Sequence, residues 1–478
     1  MPVNNLNFAK TKILCTLGPA TDSVENLIEI IKAGCDGIRL NFSHGDKKYF
    51  KSIFTNIHNA YISEKIPLAV IADLQGPKIR VGELSSPEIE LKKGNYISIV
   101  SEDILGTKDK ISTSYKSLIS DAKIGDTILI NDGLLKLKVT EKDNESLICL
   151  IENGGKLEPK KGINLPGMNL STPSITKKDF DNLEFIIQNR VDYIALSFVR
   201  QASDIIELKN WLKEKNKDIQ VIAKIEKKEA CDNFDFILEE ADGIMIARGD
   251  LGVELPPQEV PLIQKEIIKK CNAKGKLVIT ATQMLESMIQ NPIPTRAEAS
   301  DVANAVLDGT STVMLSGETS IGKYPIESVK MMNSIIRNTE THFKPLKDYE
   351  YEIPSSTEEK VFDSVGRSIV SLSRNINADA IVVFTFKGRT AINLSKYSPN
   401  ARLIALTNSF DTMNKLSLRW GVIPYFSEDI DKEHLAINEA IKLLLSAQLI
   451  KQGELVIFTA GAPYSEKSRA SWLRFEVI

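Results

Sequence analysis

Two short stretches near the middle of the chain carry residue types and spacings suited to the chemistry of anions. They are AKIE (223–226), with Lys224 and Glu226, and ARGDLGVE (247–254), with Gly249 and Asp250. In an extended segment, side chains two apart share one face, so Lys224 and Glu226 point the same way. Glu226 and Asp250, expected on adjacent strands, form a pair of hard oxygen donors for a divalent ion such as Mg²⁺. Gly249 allows close backbone approach, and free N–H groups at an opening helical turn favour a carboxylate or phosphate. Arg39 supplies a further cation. An anionic substrate bridged to Mg²⁺ and clamped by Arg and Lys is the pattern phosphoryl transfer needs. The competing reading is an ion network, Lys224–Glu226–Asp250, that merely braces the fold.

Those residues need elements to hold them. Short β-branched runs recur at 12–17, 37–42, 68–73, 193–198, 220–226, 243–247, 277–281 and 312–315. They lack polar alternation, as strands buried on both faces do. Between most of them lie stretches with apolar residues at three- and four-residue steps and a closing Gly, for example VENLIEIIKAG (24–34). Eight such β/α units predict a (β/α)₈ TIM barrel, in preference to an open doubly wound sheet. From Val81 to Asn169 the helical signal gives way to strand-and-turn text such as KKGNYISIV, predicting a small inserted β-barrel lid. After the stretch KPLKDYEYEIPSSTEEK a C-terminal α/β domain follows. The expected division is 1–80 and 170–345 for the barrel, 81–169 for the lid, and 346–478 for the C-terminal domain.

Active sites of such barrels lie at the C-terminal ends of the strands. The polar residues expected there are Thr16; Arg39, Asn41, Ser43 and His44; Asp73, then Lys78 and Arg80; Ser197 and Arg200; Lys224 and Glu226; Arg248 and Asp250; Thr282; and Ser316 and Glu318. A ring of charged and hydroxyl groups on one rim exceeds what loop solvation predicts. GETSIGKY (317–324) resembles a phosphate loop but has Tyr324 where the metal-binding hydroxyl belongs. With His44 the one histidine near the rim, a Ser-His-Asp device is not expected.

Bulk properties narrow the class. A net charge of −3 over 478 residues gives no general attraction to nucleic acid or an anionic membrane. Five scattered cysteines without a CxxC pair suit reduced thiols, hence a cytoplasmic protein. The N-terminal MPVNNLNFAKTKILC holds no long apolar run, so neither a leader nor a membrane segment is expected.

With these residues in view, the chain resembles the pyruvate kinase family over essentially its whole length. The motifs are LCTLGPAT (14–21), IRLNFSHG (38–45), DLQGPKIR (73–80), AKIE (223–226), ARGDLGVE (247–254), ATQMLESM (281–288), RAEASDVANAVLDG (296–309) and MLSGET (314–319). The resemblance implies phosphoryl transfer from phosphoenolpyruvate to ADP, then protonation of the enolate to pyruvate. It implies Arg39 on the substrate phosphate and Lys224 on the transferring group. Glu226 and Asp250 would ligate Mg²⁺ (or Mn²⁺), and Gly249, Asp250 and Thr282 would seat the substrate carboxylate. Thr282 and Ser316 fall to the proton-delivery network, and Thr16, Asn41, His44, Arg80 and Lys161 to the nucleotide. A homotetramer is implied as well.

Two departures stand out. Many family members need K⁺ at positions matching Asn41, Ser43, Asp73 and Leu74, and carry Thr-Lys-Gly-Pro-Glu where this chain has Leu74-Gln75-Gly76-Pro77-Lys78. Lys78 in place of Glu places a fixed ammonium in that region, so the chain resembles the K⁺-independent branch. The loop TFKGRTA (385–391) resembles the family's sugar-phosphate effector loop through Thr385, Gly388, Arg389 and Thr390. Phe386 and Lys387 depart from that loop, and AGAPYSEKSRASW lacks its Gly-Thr-Asn pattern. A sugar phosphate or AMP is the effector class expected. Two rivals are a Mg²⁺-dependent barrel lyase or aldolase, which needs neither Arg80 nor Lys161, and a silent scaffold, in which some of Lys224, Glu226, Asp250 and Thr282 should be lost.

Overall fold

The computed structural model describes residues 9–64, 66–168, 170–342, 351, 354–428, 436–461 and 470–478. Eight parallel strands close into a barrel: β1 (Lys12–Thr16), β2 (Gly37–Asn41), β3 (Ala69–Asp73), β4 (Tyr193–Leu196), β5 (Gln220–Ile225), β6 (Gly243–Ala247), β7 (Leu277–Ala281) and β8 (Thr312–Leu315). Each pairs with its neighbours in chain order, and β1 pairs with β8. All residues of β1, β3, β4, β6, β7 and β8 are buried, which is why these strands read as unbroken apolar runs.

The helices begin and end where the local chemistry demands. Helix Val24–Ala33 starts at Ser23, whose hydroxyl accepts the Asn26 N–H, and buries Leu27, Ile30, Ile31 and Ala33 against the barrel. It stops at Gly34, whose φ of 119° suits glycine and whose N–H caps the carbonyls of Ile30 and Ile31. Helix Arg296–Asp308 starts in a capping box built by Thr295 and Glu298.

Between β3 and β4 the chain forms a six-stranded sheet and a separate two-stranded ribbon, Ile89–Leu91 with Gly155–Leu157. Leu135–Lys142 alternates buried and outward residues, and a distinct core of Ile97, Ile99, Ile128, Leu137 and Leu147 fills the inner side. This inserted sheet domain therefore has a core of its own, separate from that of the barrel.

The C-terminal domain is a five-stranded sheet in the order Val422–Phe426, Arg402–Thr407, Ala380–Phe384, Leu455–Gly461, Ala470–Val477; the first four are parallel and the last antiparallel. Apolar clusters cover both its faces. It also closes the N-terminal end of the barrel. Leu418, 0% exposed, packs among Leu14, Ile71, Tyr193 and Met314 of the barrel interior. The Leu68 N–H donates to Asn414 Oδ1 at 3.1 Å, and Thr312 Oγ1 donates to the Leu418 carbonyl at 3.0 Å. The strands' opposite ends therefore remain for chemistry.

Candidate active site

The rim is organised around Asp73, the last residue of β3. Its Oδ2 accepts Arg39 Nε from β2 at 2.6 Å, and its Oδ1 lies 3.2 Å from Lys224 Nζ of β5. Lys224 Nζ also lies 2.7 Å from Glu226 Oε1 and donates to Ser197 Oγ at 2.6 Å. Ser197 Oγ donates in turn to the Leu74 carbonyl at 2.7 Å, and Arg39 Nη1 donates to Thr16 Oγ1 at 3.1 Å. The Asp73 and Glu226 side chains are 1% and 2% exposed, so these charges interact with little water between them.

Burial alone would raise the Asp73 carboxyl, but Lys224 and Arg39 outweigh it and hold the group below its usual value. Burial would lower the Lys224 ammonium, yet Asp73 and Glu226 keep it raised. For Glu226 burial wins: its carboxyl is raised, with Lys224 opposing and Asp250 reinforcing the shift. The result is two cations sharing one buried carboxylate. An Arg–carboxylate bond through Nε, with Nη1 giving one N–H to Thr16, leaves Nη2 and the second Nη1 N–H for an arriving anion.

The bracing network considered above differs from the one observed, which joins Arg39, Asp73, Lys224 and Glu226 and omits Asp250. Asp250 is exposed and has no hydrogen-bond or ion-pair partner among the described residues. It stands in the first turn of helix Arg248–Glu254 rather than on β6. The turn comes this early because Gly249 donates its N–H to Thr282 Oγ1 at 2.7 Å, pulling the chain off the strand. A Cβ at 249 would lie 3.4 Å from that hydroxyl oxygen.

Thr282 and Gln283, directly after β7, adopt φ of 67° and 54°. Non-glycine residues held there cost about 1–3 kcal/mol each, so the surroundings must impose the shape. Phe198 after β4 does the same at φ 56°, which turns its N–H onto Glu226 Oε2 at 3.2 Å. Ser316, after β8, has a buried Oγ without a hydrogen-bond partner among the described residues, while its N–H donates to Glu318 Oε2 at 2.7 Å. Glu318 is buried and also accepts the Leu285 N–H at 3.0 Å, so its carboxylate is occupied by the backbone.

Towards the lid, Asn41 Oδ1 accepts the Ser43 N–H at 3.1 Å, and His44 is exposed. The imidazole is held below its ordinary value by partial burial and by the cations Lys78, Arg80, Arg39 and Lys178. Lys78 is exposed, and its N–H donates to the Gly76 carbonyl at 2.9 Å. Arg80 Nη1 donates to the Lys160 carbonyl at 3.0 Å, and Lys161 Nζ pairs with Glu158 at 3.1 Å. Sequence reasoning missed the nearby pair Lys227–Glu254, buried on both sides and reached by Asn164 of the lid at 3.4 Å. KIEKK offered no means of separating a buried Lys227 from the solvated Lys228 beside it.

In the C-terminal domain Gly388, at φ 79°, opens helix Arg389–Lys396. Its N–H donates to Thr385 Oγ1 at 3.0 Å, and Arg389 Nη2 bonds Glu359 Oε1 at 2.8 Å. Lys387 is exposed and Thr390 buried beside them. Most of AGAPYSEKSRASW lies outside the described residues. No helix among the described residues is long and apolar enough to cross a membrane.

Two family models match the chain: "Pyruvate kinase, barrel domain" over residues 8–329 and "Pyruvate kinase, alpha/beta domain" over residues 363–474. A pyruvate kinase of Bacillus licheniformis is 45% identical over 459 residues, covering 95% of this chain and 78% of that protein. One of Geobacillus stearothermophilus is 44% identical over 472 residues, covering 98% and 80%. The crystal structure of a Cryptosporidium parvum pyruvate kinase superposes with a TM-score of 0.91 at 37% identity, covering 98% of this chain and 96% of that one. Barrel, lid, C-terminal sheet and rim thus all fall within matched segments or a superposed relative, and the chain belongs to the pyruvate kinase family.

Proposed function

We propose that this chain transfers the phosphoryl group of phosphoenolpyruvate to ADP, giving ATP and pyruvate, with Mg²⁺ (or Mn²⁺) and without a K⁺ requirement. The observation that carries the reading is the Asp73-centred cluster: Arg39 and Lys224 held by one buried carboxylate beside Glu226. Cations fixed in advance stabilise charge on a transferring phosphoryl group without reorganising during the reaction.

Arg39 holds the substrate phosphate, and Lys224 follows the charge on the group as it transfers. Glu226 and Asp250 fit a divalent ion, because Mg²⁺ takes one or two carboxylates and completes its shell with water and substrate oxygens. Such an ion, when bound, neutralises phosphate charge and polarises the enolate oxygen. Gly249, by leaving room for close approach, and Asp250 and Thr282 seat the substrate carboxylate. Thr282, with Ser316 behind it, orders the water that protonates the enolate carbon; the unpartnered Ser316 Oγ supports a place for such a water. Thr16, Asn41, His44, Arg80 and Lys161 line the nucleotide side, and closing the lid over them excludes water.

Lys78 serves where relatives use K⁺. Of the groups matching the ion's ligands, the Asp73 carboxylate already faces Arg39 and Lys224, and the Leu74 carbonyl accepts Ser197 Oγ. A mobile cation would compete with these bonds, whereas Lys78, exposed on the turn after Gly76, carries a fixed charge outside that set of bonds. The loop of Thr385, Lys387, Gly388, Arg389 and Thr390 takes a sugar phosphate or AMP, and the enzyme works as a cytoplasmic homotetramer.

A coupled assay of pyruvate from phosphoenolpyruvate, ADP and Mg²⁺, in buffer free of K⁺ and Na⁺, tests this reading. Full turnover is expected, with KCl changing it less than about twofold, whereas Lys78→Glu becomes KCl-dependent. Loss of activity restored by KCl in the unaltered protein sinks the role of Lys78. Pyruvate released without ADP indicates a lyase instead.

A further inference from the structure

We propose that Arg248 is a positioning residue for Thr282: its guanidinium holds the backbone turn that aims the Thr282 hydroxyl. The inference rests on the role given to Thr282 above and adds the group that makes that role possible. Arg248 opens the helix that carries Gly249 and Asp250, and its side chain, 11% exposed, folds back to the end of β7. There Nη2 donates to the carbonyls of Thr282 at 2.8 Å and Gln283 at 3.3 Å and lies 2.8 Å from Met284 Sδ, while Nε donates to the Ala281 carbonyl at 3.4 Å. On its other side Nη1 donates to Asp301 Oδ1 at 2.8 Å and to Gln264 Oε1 at 3.3 Å, and Nη2 lies 2.7 Å from Asp301 Oδ2.

One planar cation therefore gathers the carbonyls of three successive residues and is itself fixed by a two-pronged carboxylate on helix Arg296–Asp308. That matters because Thr282 and Gln283 both lie in the left-handed region, at φ 67° and 54°. A β-branched residue avoids that region, and carbonyls there point roughly alike, so their dipoles repel. A cation laid across them removes the repulsion. Arg248 and Gly249 are consecutive, so one grips the carbonyls of the turn while the other's N–H holds the Thr282 hydroxyl at 2.7 Å. Substrate seat and hydroxyl are thus kept in register by adjacent residues. Lysine at 248 would concentrate its charge at one point and could not span these partners.

A double-mutant cycle in the full-length protein tests the inference. The readout is exchange of the pyruvate methyl protons with D₂O, followed by NMR in the presence of Mg²⁺ and ATP, with phosphoenolpyruvate half-saturation measured in parallel. Because a misplacement of ~1 Å at a reacting centre costs up to about a hundredfold, Arg248→Lys should slow exchange by about tenfold or more while half-saturation stays within about threefold. In a Thr282→Ala background the same substitution should change the remaining exchange by less than about twofold, since its route of action has been removed. An equal loss in both backgrounds overturns the inference and leaves the role of Thr282 intact, as does a parallel fall in exchange and affinity. Exchange unaffected by Thr282→Ala removes that role and this inference together. If Arg248→Lys does not fold, Asp301→Asn carries the same cycle, with a loss of about threefold expected only where Thr282 is present.

Discussion

Lys224→Met removes an ammonium that lies 2.7 Å from Glu226 Oε1 and 3.2 Å from Asp73 Oδ1, while keeping an unbranched stem in its place. The two carboxylates then fare differently. Asp73 keeps Arg39 at 2.6 Å and stays ionised. Among the described residues Glu226 keeps only the Phe198 N–H, at 3.2 Å. Its carboxyl is already raised by burial and by Asp250, and Lys224 is the chief group opposing that shift, so removing Lys224 raises it further. Turnover should fall on the order of 10²–10³, about 3–4 kcal/mol, the usual loss on deleting one preorganised charge from a transition-state site. Metal binding should survive but acquire a proton cost. Below the raised Glu226 value, apparent affinity falls about tenfold per pH unit, and it recovers as pH rises. Coupled pyruvate assays and Mn²⁺ titrations, both run from about pH 6 to 9, measure the two effects separately. Turnover within tenfold of the unaltered protein would refute the role of Lys224. Metal affinity that ignores pH in the variant would refute the account of Glu226.

Leu418→Ala empties a site inside the barrel floor and should cost about 2–5 kcal/mol, seen as a lower thermal midpoint with phosphoenolpyruvate half-saturation unchanged. Glu254→Gln leaves Lys227 buried without its counter-charge, a loss of about 3–5 kcal/mol, and weakens the lid's Asn164 contact. Faster proteolysis within the lid should accompany it. The depressed Asp73 carboxyl contributes stability that is fully present above its unfolded value, about pH 4, and is lost as pH falls through the lower folded value. Asp73→Asn should accordingly flatten the acid limb of an unfolding-versus-pH curve.

The barrel was legible because its signal is local. Strands buried on both faces must be continuously apolar, and the helices between them must show a period near 3.6. Arg39 and Lys224 could be placed on the rim by the same logic, since each lies near the end of such a run. The bonds they make could not. Arg39 and Lys224 meet at Asp73 across separations of 34 and 151 residues, and no periodicity reports a contact of that kind. Leu418 was hidden for a related reason: it stands in the C-terminal domain's sequence, yet completes the core of a different domain.

What most resists reading from sequence is backbone shape at the strand ends. Phe198, Thr282 and Gln283 are ordinary residues in left-handed conformations, and nothing in their types announces it. Each shape nevertheless does something at the rim: Phe198 turns its N–H onto Glu226, and Thr282 turns its hydroxyl onto the Gly249 N–H. Both need a neighbour that makes room or supplies charge. Under the Phe198 ring lies Gly76, where a Cβ would come within 2.7 Å of the ring and where φ is itself 65°. Over Thr282 lies the Arg248 guanidinium. The glycine of DLQGPKIR and the arginine of ARGDLGVE are thus matched to turns more than thirty residues away on other strands. Glycine at 198 or 282 would relieve the backbone strain, but it would also free the turn to wander, because glycine adopts many other conformations at little cost and the contacts that now hold a strained residue in place would no longer fix one shape. The site's precision comes from turns forced into shape from outside, so substitutions that relax them should cost function even where they add stability.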